Sequence, residues 1–155
     1  MREFFKFRFG IEEDLDFIFH EPPSAAQLQA FASDASKGPS VEDPHFDVKA
    51  GMQSEWNKRL LYLLQLDFRD RLPAECAKKN IIPPPRPDKY YGNLIAERFQ
   101  RLTQVWKQGQ PRLTAGNDWE SPEQTEERMA TARKTTAKYQ RHLSRRIYVG
   151  VKLGT

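Results

Sequence analysis

Ser54-Glu55-Trp56-Asn57-Lys58-Arg59-Leu60-Leu61-Tyr62-Leu63-Leu64-Gln65-Leu66-Asp67-Phe68 is the stretch on which the fold turns. Trp56, Leu60, Leu63, Leu64 and Phe68 recur at three- and four-residue steps, which places them on one face of an α-helix. Ser54 stands where an N-cap hydroxyl accepts from a free N–H of the first turn. Leu61 and Leu66 widen the apolar face, so the spacing predicts a central helix over 54–72. Leu72-Pro73 is expected to end it, because proline has no N–H and its ring clashes with the preceding turn.

Moving outward, Ile81-Ile82-Pro83-Pro84-Pro85-Arg86-Pro87 cannot continue a helix and predicts an extended, polyproline-type connector. Ligands of SH3 and WW modules look similar, but a rigid linker is the commoner meaning. Asp88 then caps a second helix, in which Tyr91, Leu94, Ile95, Phe99, Leu102 and Val105 or Trp106 form an amphipathic stripe. Lys89, Arg98, Arg101 and Lys107 fall on its other face, and Gly109 and Pro111 end it. The two stripes are expected to pair as the core through Leu60, Leu64, Phe68, Leu94, Phe99 and Leu102.

The N-terminal segment is dense in phenylalanine: Phe4, Phe5, Phe7, Phe9, Phe17 and Phe19. Two readings stand. Phe5, Phe7 and Phe9 alternate with Lys6 and Arg8, which is the period of a half-buried strand and allows a short β-hairpin across Gly10. Alternatively, two short helices meet there with Gly10 as the C-terminal cap of the first. Pro22-Pro23 stops this element, Ser24 caps a short helix around Leu28 and Phe31, and residues 33–49 read as a long, mobile polar connection.

At the other end, Ser121-Pro122-Glu123-Gln124 has the grammar of a helix start, and the helix is expected to run to about Tyr148. Lys134, Lys138, Arg141 and Arg145 follow at steps of four, three and four, a continuous basic stripe suited to phosphate backbone. The competing reading is a solvated face. Residues 1–50 hold five Lys/Arg and ten Asp/Glu, and residues 51–155 hold twenty and eleven. After Glu127 eight basic residues follow and no acid, where a merely solvated helix usually interleaves Glu with Lys.

The 155 residues suit one domain, with three parts: an acidic Phe-rich arm and polar connection (1–50), a helical core pair (51–110) and the basic helix (111–155). Charged residues make up 30% and the mean hydropathy is −0.78, with no apolar run near the roughly 20 residues that span a bilayer. The single cysteine, Cys76, rules out an internal disulfide framework and fits a reducing compartment.

Zinc needs clustered ligands, and His20, His45, His142 and Cys76 are scattered. Asp67 and Asp70 share a helix face, yet Arg69 and Arg71 flank them, so local charge pairing is the simpler meaning. Pro87-Asp88-Lys89 superficially matches nuclease motifs but runs into a helix instead of a strand, and no phosphate-cradling glycine loop occurs. No catalytic residue, metal or cofactor is expected.

Several motifs carry a resemblance. Phe4-Phe5 with Arg8-Phe9-Gly10-Ile11 and Asp16-Phe17-Ile18, then Glu55-Trp56-Asn57-Lys58, Arg98-Phe99-Gln100-Arg101, Val105-Trp106, Gln110-Pro111-Arg112, Arg133-Lys134-Thr135-Thr136 and Lys138-Tyr139-Gln140-Arg141, resemble a family of uncharacterised proteins abundant in mushroom-forming (basidiomycete) fungi. The resemblance covers most of the chain and implies a eukaryotic intracellular setting, with no defined activity, cofactor or active site. Related sequences often carry more Arg in the last stretch. A weaker likeness is to Myb/SANT-like helical modules, in which Trp56, Trp106 and Trp119 would build a small core, though their spacing departs from the regular Myb pattern.

The sequence thus predicts a mainly α, small helical domain with a long basic C-terminal helix and a Phe-rich arm. The function expected is non-catalytic nucleic-acid binding, nuclear more than cytoplasmic, with Lys134, Lys138, Arg141 and Arg145 on DNA or RNA phosphates and no membrane partner. The alternative is a protein-interaction or dimerisation module using Phe4, Phe5, Phe7 and Phe9.

Overall fold

A computed structural model of the chain describes residues 1–135 and 137. These are mainly α-helical, and among them β-structure is limited to one isolated bridge. The chain forms two compact units, residues 1–107 and the residues from 108 onward. The first contains α1 (Arg2–Phe9), a 3-10 turn (Asp14–Phe19), α2 (Ala25–Ser33), a second 3-10 turn (Ala35–Lys37), α3 (Glu55–Lys78) and most of α4 (Asp88–Gly109). No helix among the described residues is long and apolar enough to cross a membrane.

The N-terminal segment is helical, not a hairpin. Gly10 ends α1 in the left-handed region at φ 61°, where a glycine is unstrained, and Ile11 N–H closes back on the Lys6 carbonyl at 3.1 Å. The period-two alternation is coincidental: on a helix, Phe5 and Phe9 are one turn apart, and their rings stack at 5.6 Å. Phe4, Phe5, Ile11 and Phe17 join Leu60, Leu64, Phe68, Tyr91, Ile95, Phe99 and Leu102 in one buried cluster. The segment expected as an arm is therefore part of the same core as the helix pair.

Both long helices run as their apolar spacing requires, with three differences. Ile95 is fully buried where Leu94 was expected, and Leu94 is half-buried, because the stripe is centred one residue later. Asp88 lies inside the first turn of α4 instead of capping it, and its carboxylate meets Arg69 of α3 at 3.2 Å. Finally, α3 passes through Pro73 to Lys78. The hydrogen bond that Pro73 cannot make would reach the carbonyl of Arg69, and both residues are exposed, so water can serve that carbonyl.

The connection before α3 departs most from expectation. Residues 44–48 are pinned into the core: Phe46 is fully buried and Val48 nearly so. The fully buried Asn57 side chain does this, because its Oδ1 accepts from the Asp47 N–H at 2.9 Å. Its Nδ2 donates to the carbonyls of Asp47 (2.8 Å) and Gly51 (2.6 Å). Trp56 Nε1 adds a bond to the His45 carbonyl at 2.7 Å. A loop whose backbone groups are paired in this way can enter a core.

Phe99 is the aromatic hub of the unit. Phe46 stacks on it at 4.1 Å, and Phe5 and Phe9 meet it edge-on at 5.2 and 5.5 Å. Two expectations follow for equilibrium denaturation. Phe99→Ala should cost about 3–5 kcal/mol, the range for truncating a fully buried phenylalanine. Asn57→Ala should cost about 2–4 kcal/mol, since it strands the Asp47 N–H and two carbonyls, each worth roughly 1–3 kcal/mol when left unpaired in a core. An unchanged midpoint for either variant would remove that residue from the framework.

Candidate functional site

The residues from 108 onward carry the basic run of the sequence. Residues 112–120 form a tight turn, closed by Thr114 N–H to the Asp118 carbonyl and Glu120 N–H to the Arg112 carbonyl, both at 2.7 Å. Asn117 takes the left-handed conformation that the turn needs, at φ 66°. Leu113 and Trp119 face each other across the turn as an isolated antiparallel bridge. Trp119, expected to help build a core, is instead 69% exposed, whereas Trp56 is buried and Trp106 half-buried.

α5 begins at residue 122 and is described as helix to residue 135. Its start is the capping box the sequence spelled out: Gln124 N–H donates to Ser121 Oγ at 3.2 Å, and Ser121 N–H donates to Gln124 Oε1 at 2.8 Å. Arg128 then ties the helix to the turn. Its Nε and Nη2 donate to the Glu120 carboxylate at 2.9 and 2.8 Å, and its Nη atoms reach the carbonyls of Gln108 (2.5 Å) and Gln110 (3.0 Å). That guanidinium holds the Glu120 carboxyl down to about 2, with the Arg112 N–H adding to the effect against a smaller burial penalty. Arg128 is thus a structural clamp and not a spare cation. Lys134 is exposed on α5; Lys138, Arg141 and Arg145 lie outside the described residues.

The four phenylalanines of the alternative site do not form one surface. Phe4 and Phe5 are buried, and Phe9 is half-buried against Phe99, because α1 turns one face to the core. Only Phe7 is exposed, at 65%, with the guanidiniums of Arg8 and Arg71 each 5.2 Å from its ring centre.

Asp67 takes a bidentate pair from Arg8 (2.7 and 2.6 Å) and a third bond from Arg71 (2.8 Å). Burial alone would raise its pKa, but the two guanidiniums outweigh that and hold the carboxylate below its usual range. Arg98, assigned by its spacing to the solvent face of α4, is largely buried and forks onto Asp14. Among the described residues no three His, Cys, Asp or Glu side chains gather as metal ligands.

One cluster was invisible in the sequence. His20 and His45, 25 positions apart, approach to 6.4 Å between ring centres. His20 stacks flat on Phe17 at 4.4 Å, and its Nε2 lies 3.0 Å from both the N–H and the carbonyl oxygen of Phe46, accepting or donating according to tautomer. Burial drives its pKa down to about 4, against the Phe46 hydrogen bond. His45 is also pulled down by burial, but the Glu21 carbonyl and the Asp43 carboxylate outweigh that and raise it overall. A shallow groove of about 290 Å³ opens beside His20, lined by Phe9, Ile11, Asp16 and Phe19. Asp16 Oδ2 there accepts from the N–H groups of Glu12 and Glu13 at 3.0 and 2.9 Å.

Compared with known proteins, the chain matches no family model, no curated protein and no solved structure.

The two histidines set opposite pH dependences. His20 is held neutral in the fold, so the unfolded chain takes up its proton first and stability falls as pH drops from 6.5 to about 4. The loss approaches about 3 kcal/mol at the lower end. His45, raised in the fold, adds stability that is full below its unfolded value and disappears as pH rises through its folded one. Denaturation midpoints from pH 7.5 to 4 should therefore decline through the acid range, and His20→Phe should flatten that decline. A parallel decline in wild type and variant would assign it to other groups.

Proposed function

We propose that this chain is a non-catalytic module that binds nucleic acid through phosphate contacts of its basic C-terminal segment. The observation that carries the reading is the charge order after Glu127: eight Lys/Arg and not one Asp/Glu. Arg128 is engaged with Glu120, so the reading rests on the stripe that starts at Lys134. Lys134 is exposed on α5, and the spacing of Lys138, Arg141 and Arg145 continues its stripe on a helix. Glu123, Glu126 and Glu127 sit in the first turns of α5, where acids complement the helix dipole, so charge of opposite sign is separated along its length. The exposed Trp119 offers a flat face for an unpaired base beside such contacts. A nuclear setting suits this reading.

The test is salt dependence. Wild type should bind duplex DNA of unrelated sequences with similar affinity, because phosphate contacts position a protein without reading bases. Replacing Lys134, Lys138, Arg141 and Arg145 by glutamine should flatten the slope of log affinity against log salt by about 3–4, at roughly 0.9 per lost contact. Fluorescence anisotropy across a salt series reads both. If wild type shows no salt-sensitive binding near physiological ionic strength, the reading fails. A mass that rises with concentration would then favour self-association through the exposed Phe7.

A further inference from the structure

We propose that residues 81–87 are a docking segment for a partner domain whose aromatic-lined groove binds polyproline II helices and carries acidic residues at its rim. The proposal is independent of nucleic-acid binding and rests on the connector between α3 and α4.

Four of the five residues from Pro83 to Pro87 are proline. Each proline fixes its own φ near −65° and drives the residue before it into extended conformations, so Ile82, Pro83, Pro84 and Arg86 favour the polyproline II region and Pro85 shares its φ. That helix has three residues per turn and no internal hydrogen bonds, which leaves its carbonyls as acceptors for a partner. Ile81, Pro84 and Pro87 consequently share one edge, with the two prolines about 9 Å apart. Ile82 and Pro85 form the second edge, and Pro83 and Arg86 the third.

Pro83 is half-buried, and the exposed Arg86 lies over the Tyr90 ring at 5.1 Å, so the third edge is the one in contact with the rest of the chain. The other two edges are exposed throughout, with Ile82 at 94%. An isoleucine and adjoining prolines presented together on an outer surface are what a polyproline groove takes between its aromatic side chains.

The segment is also anchored at both ends. α3 closes with Asn80 in the left-handed region, at φ 52°, and with Ile81 N–H on the Cys76 carbonyl at 2.9 Å. α4 opens with Tyr90 N–H on the Pro87 carbonyl at 2.9 Å, and the Arg69–Asp88 pair joins the two helices beside it. A linker fixed in this way loses little further freedom on binding. Charge sets the rim: Lys79, Arg86 and Lys89 are exposed around the segment, while Asp88, the acid among them, is neutralised by Arg69. Arg86 within the segment and Lys89 in the first turn of α4 put two exposed cations beside Pro84 and Pro87, which suits acidic residues at the rim of the groove.

The experiment titrates the intact chain against a panel of purified SH3 and WW domains by fluorescence anisotropy. At least one domain is expected to bind. Pro84→Ala/Pro87→Ala should weaken that binding at least about tenfold, with the thermal unfolding curve retained because both prolines are exposed. Arg86→Glu/Lys89→Glu leaves the backbone of the segment as it is and should weaken binding by reversing the rim charge. No binding across the panel overturns the proposal. So does an affinity that survives Pro84→Ala/Pro87→Ala, even where the charge reversal weakens it, since simple electrostatic attraction would then suffice.

Discussion

Phe46 lies on Phe99 with ring centres 4.1 Å apart, and residues 1–107 are arranged around that contact. Phe99 belongs to α4, but Phe46 belongs to a loop, and a loop enters a core only if its backbone polar groups are satisfied there. Asn57 meets that condition by copying a strand partner, accepting from the Asp47 N–H and donating to its carbonyl. The neighbouring His20 serves Phe46 itself from the other side. Phe5 and Phe9 of α1 close the remaining faces of Phe99, so three separate segments meet at one ring. Without the Asn57 clamp, Phe46 would bring the unpaired N–H and carbonyl of Asp47 toward the core.

The charged side chains play a second, distinct part. Arg98 with Asp14, Arg8 with Asp67, and Arg128 with Glu120 are all largely withdrawn from solvent on at least one side. Removing water from such pairs costs much of what their attraction returns, so their worth lies mainly in fixing position. The Arg8–Asp67 fork sets α1 against α3, and the Arg98 fork sets the 3-10 turn against α4. Arg128 shapes the start of the basic helix by the same means. Counting charges along the chain therefore overstates the acid and base left on the surface. Of the acids in the first fifty residues, Asp14 is paired with Arg98 and Asp16 is bound to backbone N–H groups. The run after Glu127 itself contains no acid, and its Arg128 pairs with Glu120 upstream of the helix.

Much of the local structure was legible because short-range physics dictates it. Ser24, Ser54 and Ser121 each cap a helix as their positions require, since a hydroxyl two or three residues before a free N–H needs no tertiary partner. The apolar steps along α3 and α4 named Leu60, Leu64, Phe68, Phe99 and Leu102 as buried, because helical period converts spacing directly into a face. At Gly10 the same kind of reasoning stopped between two answers. Strand and helix both explained Phe5, Phe7 and Phe9, and the choice depended on which rings had a core to reach.

Three features depended on partners distant in sequence and were decided only by the tertiary structure. Phe46 reads as one apolar residue in a polar loop until Asn57, eleven positions later, takes up the adjoining backbone. Arg98 reads as a solvent-facing cation until Asp14, eighty-four positions away, lies beside it. His20 and His45 acquire opposite pKa shifts because burial dominates at one, while hydrogen-bonding oxygens outweigh it at the other. The sequence by itself determined the two long helices, the serine caps of three helices, the proline-rich connector and the basic run after Glu127. Those depend on dihedral limits, hydrogen bonds a few residues long and counts of charge. Which polar groups enter the core, and which aromatic rings stay outside it, was settled only by the fold, because burial is a property of neighbours that spacing along the chain does not encode.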